Sequence, residues 1–114
     1  MKIKYDKILG KLREDDSNID IKTINEATYS LKKSDFMLLI EYTTTGEMTL
    51  TLPTSQLKKG RIIIIKDSGG KAGTNNITIK TEGGEKIDNE NELIISGDND
   101  SLTLVSDENN WFII

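Results

Sequence analysis

Arg61-Ile62-Ile63-Ile64-Ile65-Lys66-Asp67-Ser68-Gly69-Gly70 is the stretch whose reading decides the fold. Four consecutive isoleucines are too few to span a membrane, and β-branching at each of them disfavours a helix. The run reads as a strand covered on both faces, and therefore as the centre of a sheet. Leu50-Thr51-Leu52-Pro53 before it and Asn76-Ile77-Thr78-Ile79-Lys80-Thr81 after it alternate in the manner of half-buried strands.

Upstream, Ile19, Ile21 and Ile24 alternate with polar residues and predict a first strand near 19–24. Tyr29 and Leu31 begin a second. The apolar run from Phe36 to Tyr42 ends at Thr43-Thr44-Thr45-Gly46, where the glycine lets the chain turn. Met48 to Leu52 is the next strand, and Pro53 ends it because proline has no N–H for a ladder. Residues 54–60 connect to the isoleucine strand.

Downstream, Ser68 to Asn76 is dense in turn residues and predicts a hairpin that returns through the strand ending at Thr81. Glu82-Gly83-Gly84-Glu85 is a further turn. Short strands follow at Glu92–Ile95, Ser101–Ser106 and Asn110–Ile114, with a turn at Gly97–Asp100. Regularly spaced short strands predict an all-β domain over residues 19–114, an antiparallel β-sandwich or jelly-roll-like module. Before it, Tyr5, Ile8, Leu9 and Leu12 recur at helix-like spacing broken by Gly10, so residues 1–18 read as a short N-terminal arm. That arm is either a disordered terminus or an attachment segment that orders on a partner.

Composition narrows the function. The 114 residues suffice for one domain, and 35% hydrophobic residues is a low share for a globular protein, which suits a chain covered partly by copies of itself. A net charge of −4 without a Lys/Arg cluster argues against nucleic acid. There is no cysteine and no histidine, so thiolate metal sites, disulfides and His-based nucleophile systems are excluded. The first residues carry no continuous apolar stretch, and no run is long enough for a membrane span, so the chain is expected to be soluble, fold in a cytoplasm and not insert in a membrane.

Candidate sites are few. Gly69-Gly70-Lys71-Ala72 superficially suggests a phosphate loop, but Lys71 is followed by Ala72 where a P-loop needs Ser or Thr opening a helix. Asp88, Glu90 and Glu92, or Asp98 and Asp100, offer hard oxygen ligands for calcium, yet Leu93 stands where an EF-type loop has Gly. The same acids, about 7 Å apart on one strand face, match a glycosidase pair only in spacing, with no sign of the cleft that would raise one pKa. From Glu82 to Asn110 there are nine acidic residues against Lys86 alone, which reads as a solvated rim that discourages edge-to-edge pairing. No catalytic residue, metal or cofactor is expected. Trp111 and Phe112 lie on opposite faces of a strand; they serve an interface or core, or alternatively stack on a ligand such as a sugar ring.

Leu50-Thr51-Leu52-Pro53, Lys59-Gly60-Arg61 with its apolar strand, the Gly-Gly turn, Asn76-Ile77-Thr78-Ile79, Glu85-Lys86-Ile87-Asp88, Asp100 to Asp107 and Asn110-Trp111-Phe112-Ile113-Ile114 form an ordered set. In that order they resemble a β-module of virion structural proteins of tailed bacteriophages, found in tail-fibre, head-fibre and related appendage proteins. Tyr5 to Asp15 resembles the leader ahead of such modules. The resemblance implies a non-enzymatic virion component, a fibre, fibre-docking or head/tail decoration protein, often a homotrimer that also contacts other virion proteins. Under it, Tyr5, Ile8, Leu9, Leu12 and Arg13 are the expected attachment or assembly residues. The alternative is a receptor- or carbohydrate-binding fibre tip whose partner is a host-surface glycan. Neither a coiled-coil shaft nor collagen-like repeats are present.

Overall fold

The structure, a computed structural model, describes residues 18–114. Residues 1–17 of the expected N-terminal arm, with Tyr5, Ile8, Leu9, Leu12 and Arg13, lie outside the described residues. Nine strands follow in chain order: β1 Ile21–Ile24, β2 Thr28–Ser30, β3 Met37–Ile40, β4 Met48–Leu52, β5 Ile62–Asp67, β6 Ile77–Thr81, β7 Glu92–Ile95, β8 Ser101–Ser106 and β9 Trp111–Ile113. The helical content among the described residues is a single 3₁₀ turn at Thr54–Gln56, which follows Pro53. The isoleucine strand is central, third in a five-stranded sheet of order β1-β3-β5-β8-β9. The second sheet has the order β2-β4-β6-β7.

Both sheets are mixed. Successive strands from β1 to β6 fall alternately on the two sheets, so β1, β3 and β5 pair in parallel on one and β2, β4 and β6 in parallel on the other. Only β5 with β8, β8 with β9 and β6 with β7 pair antiparallel. The expected antiparallel arrangement, with its jelly-roll order, is therefore corrected. So is the expected hairpin after the isoleucine strand: β6 pairs with β4 and β7, not with β5. Parallel neighbours need a crossover, usually helical. Here the crossover is a strand of the opposite sheet. The shortest connection, Asn25-Glu26-Ala27, reaches at most about 14 Å, enough to cross the roughly 10 Å between packed sheets.

The two inner faces bury one core. Ile24, Leu38, Ile40, Ile63, Ile65 and Leu104 come from the five-stranded sheet, and Met48, Leu50, Leu52, Ile77, Ile79 and Ile95 from the other. Period-two alternation aims these side chains inward and their neighbours outward. On β5 this gives full burial of Ile63 and Ile65, while Ile62 and Ile64 are only half-buried. Coverage of the isoleucine strand on both faces is thus not met within one chain.

The end of β5 is tied by Asp67. This residue is 3% exposed, and its carboxylate accepts backbone N–H groups from Gly70 (3.1 Å) and Lys71 (3.4 Å) on Oδ1 and from Ala72 and Asn99 (both 2.9 Å) on Oδ2. Burial pushes this carboxyl up, but the four N–H bonds outweigh it and hold it below the usual carboxylate range. The Gly-rich loop after β5 is therefore wrapped around an internal anion of the protein. Gly69 passes so close that a Cβ there would lie 3.1 Å from the Glu41 Cα.

Candidate functional site

Two outer surfaces carry the features a partner could use. On the five-stranded sheet, register places Ile21, Met37, Ile64 and Thr103 in one row and Ile62, Val105 and Phe112 in the next. Leu39 joins them beside Lys66, the one charged side chain in these rows. Ile114 extends the face by donating its N–H to the Thr103 carbonyl at 2.9 Å. Ile21 is 55% exposed, Phe112 38% and Ile114 63%, and the other apolar members are half-buried. The outer face of the central sheet is largely apolar, interrupted by Thr23, Lys66, Ser101 and Thr103.

The two aromatic residues at the C-terminal strand part company. Trp111 is completely buried on the inner face, where its backbone N–H donates to the Lys86 carbonyl at 2.8 Å and its carbonyl accepts from Asp88 N–H at 3.0 Å. It offers no ring face to a ligand, which corrects ligand stacking by Trp111. Burial follows from its place opposite Ser106, a residue that itself faces the core. Its indole Nε1 has no hydrogen-bond partner among the described residues. Phe112 points outward beside Val105 and belongs to the apolar face.

The second surface lies on the four-stranded sheet. Thr28 and Thr49 form one outward row, continued by Thr78, which is itself buried, and Ser30, Thr51 and Lys80 form the next, because Tyr29, Leu50 and Ile79 between them face inward. At the β2 edge this hydroxyl array opens into a groove of about 700 Å³ that reaches Lys22 and Thr23 of β1. Tyr29 forms part of its wall, with Lys22 Nζ 5.2 Å and Lys32 Nζ 5.0 Å from the ring centroid. Both distances are within cation–π range. The Tyr29 hydroxyl donates to Asp35 Oδ2 at 2.7 Å, and the Lys32 N–H donates to the same oxygen at 2.8 Å. Burial and then this bond to the carboxylate push the Tyr29 hydroxyl far above its ordinary pKa, so it stays a neutral donor.

That corner is fastened from β5. Arg61 Nη2 donates to the carbonyls of Lys32 (2.9 Å) and Asp35 (2.7 Å), and Nη1 donates to Gln56 Oε1 at 2.8 Å. Burial lowers the Arg61 pKa against the raising effect of Asp35, yet a guanidinium stays charged. Sequence reading noted Arg61 only as part of a motif and missed Lys22, Tyr29, Lys32 and Lys80 as site residues. The signal was present as polar-apolar-polar triplets at Thr28-Tyr29-Ser30, Thr49-Leu50-Thr51 and Thr78-Ile79-Lys80. What hid it was the pairing that stacks those triplets side by side.

The acidic residues serve turns. Asp98 Oδ1 accepts the Gly73 N–H at 2.8 Å and Asp88 Oδ1 the Ile113 N–H at 3.2 Å. Among the described residues no three acidic side chains converge as a metal site would require. No helix among them is long and apolar enough to cross a membrane. No protein-family model matches the chain, and no curated protein does.

Proposed function

We propose that this chain is a non-enzymatic structural module of a tailed-phage virion, a fibre, fibre-docking or head/tail decoration component, that works as a homotrimer. The observation that carries the assembly claim is the apolar outer face of the central sheet, built around Ile62, Ile64, Met37, Leu39, Val105 and Phe112. Five strands of four, four, six, six and three residues, at about 3.3 Å per residue and about 4.8 Å per strand, make a face on the order of 360 Å². That is within the roughly 300–600 Å² of the largest patch on a typical monomer, a patch that is often functional.

The occupant is a second copy of the chain. A largely apolar surface with one lysine in its rows matches an apolar partner better than a charged one, and each copy presents the same surface. At about 25 cal/mol/Å² the face contributes at most about 9 kcal/mol gross per partner, against roughly 4–15 kcal/mol for lost freedom on association. Threefold closure and the virion setting come from the resemblance to phage appendage modules; around a threefold axis the contact is heterologous, so each copy would offer two different parts of this face to its two neighbours. The test is cross-linking of the purified chain and its detection in particles. Ile64→Lys, at a half-buried outward position, is expected to abolish both the cross-linked trimer and incorporation while leaving the inner core intact. A trimer that persists in that variant overturns the proposed interface.

A further inference from the structure

We propose that residues 1–17 dock on the apolar outer face of their own chain's five-stranded sheet and compete there with the neighbouring copies. The competition, though not the contact, rests on the assembly reading given above. The apolar residues of the segment, Tyr5, Ile8, Leu9 and Leu12, stand at positions i, i+3, i+4 and i+7, so a helix would carry all four on one side and Lys4, Lys7 and Lys11 away from it. The sheet face offers the matching surface. Ile21, Met37, Ile62, Ile64, Val105 and Phe112 point out of it, and Lys66 is the one charge in its rows.

Chain connection favours the segment's own face over a neighbour's. Residue 18 is the first described, and the chain enters the sheet at Ile21 of β1, the edge strand of this face, where the Ile21 side chain is 55% exposed. Residues 13–20 join Leu12 to that strand and reach up to about 26 Å, whereas β5 at the middle of the face lies two strand spacings, roughly 10 Å, from β1. A short tether holds the segment at an effective concentration on the order of millimolar, above that of copies at micromolar concentration. A helix from Tyr5 to Leu12 would be about 12 Å long and about 10 Å wide, and would cover roughly 120 Å² of a face on the order of 360 Å². Cover by the segment is therefore partial, and concentrated copies can displace it.

The experiment uses the full chain, whose lack of cysteine lets Lys11→Cys carry a nitroxide spin label at a single place. Light scattering first finds a concentration at which the chain has single-chain mass. There, paramagnetic broadening of the Met37, Ile64 and Val105 amides is expected when label and isotope enrichment are on the same chain. It is not expected when a spin-labelled chain without enrichment is mixed with an enriched chain without label. Ile8→Ser/Leu12→Ser is expected to lose the broadening and to reach trimer mass at a concentration at least roughly tenfold lower, since a competent fraction of about one tenth is felt by each of three copies. Lys7→Gln, off the apolar side, is the control, and unshifted amides in β4 and β6 show that each variant folds. The contact is overturned if same-chain broadening is absent, or if broadening arises only between chains, which would make the segment an exchanged arm. The competition is overturned if the wild type is trimeric at every concentration, or if it trimerises and Ile8→Ser/Leu12→Ser does so no more readily. A wild type that never trimerises refutes the assembly reading instead, and the same-chain broadening still decides the contact.

Discussion

Replacing Asp67 by asparagine changes one atom at the end of the central strand and tests how the Gly-rich loop is held. The carboxylate accepts four backbone N–H groups, two on each oxygen. An asparagine side chain keeps one acceptor oxygen and turns an amide NH₂ toward two of those donors. An N–H left unpaired in a buried site costs about 1–3 kcal/mol, and the N–H groups of Gly70 and Lys71, whose bonds are part-buried, fall toward the lower end. The amide will take the side facing Gly70 and Lys71, where the bonds are longer, so about 3 kcal/mol is expected. At roughly 4 °C per kcal/mol for a domain of this size, the melting temperature should fall by about 12 °C. The pH dependence separates this cause from mere repacking. Because the folded-state pKa of Asp67 is depressed, its stabilisation is complete above the ordinary carboxylate value of about 4 and is lost as pH falls through the folded value. The amide of the Asp67→Asn variant has no such titration. Urea melts of both proteins should therefore differ by a constant amount around pH 7, and the gap should narrow below about pH 4. An unchanged midpoint at pH 7, or a gap that persists undiminished in acid, refutes the reasoning.

Arg61→Gln should cost about 2–3 kcal/mol in chemical denaturation, because the guanidinium donates three bonds, two of them to the carbonyls of Lys32 and Asp35. Trp111→Ala should cost about 3–5 kcal/mol by opening a large cavity, while Trp111→Phe should cost markedly less because it also removes a buried N–H that has no partner. Gly69→Ala is expected to destabilise by about 1–3 kcal/mol, read as a shift in thermal midpoint, since its Cβ would press on the backbone of Glu41.

Strand positions were legible in the sequence and strand pairing was not. Met48–Leu52, Glu92–Ile95 and Ser101–Ser106 stand where alternation and turn residues put them, because period-two burial is a local property of each segment. Whether a turn returns a strand to its own sheet or carries it to the facing one is not local. A three-residue connection such as Asn25-Glu26-Ala27 serves either purpose, and the unequal loops conceal the stacking: Ile21 meets Met37, but Met37 meets Ile64. Trp111 and Phe112 were correctly expected on opposite faces, yet only the pairing with Ser106 and Val105 decides which one faces the core. The groove was invisible for the same reason, since Lys22, Tyr29 and Lys80 converge only once parallel ladders bring β1, β2 and β6 to one corner.

The central claim is that copies of this chain cover the apolar outer face of one another's five-stranded sheet. Absolute molar mass by light scattering, for the chain and for Ile64→Lys, tests it most directly. The account predicts three times the 12.8 kDa chain mass for the wild type and a folded species of single-chain mass for the variant. A wild-type chain that stays at single-chain mass across micromolar to millimolar concentration, or an Ile64→Lys protein that remains trimeric, contradicts it.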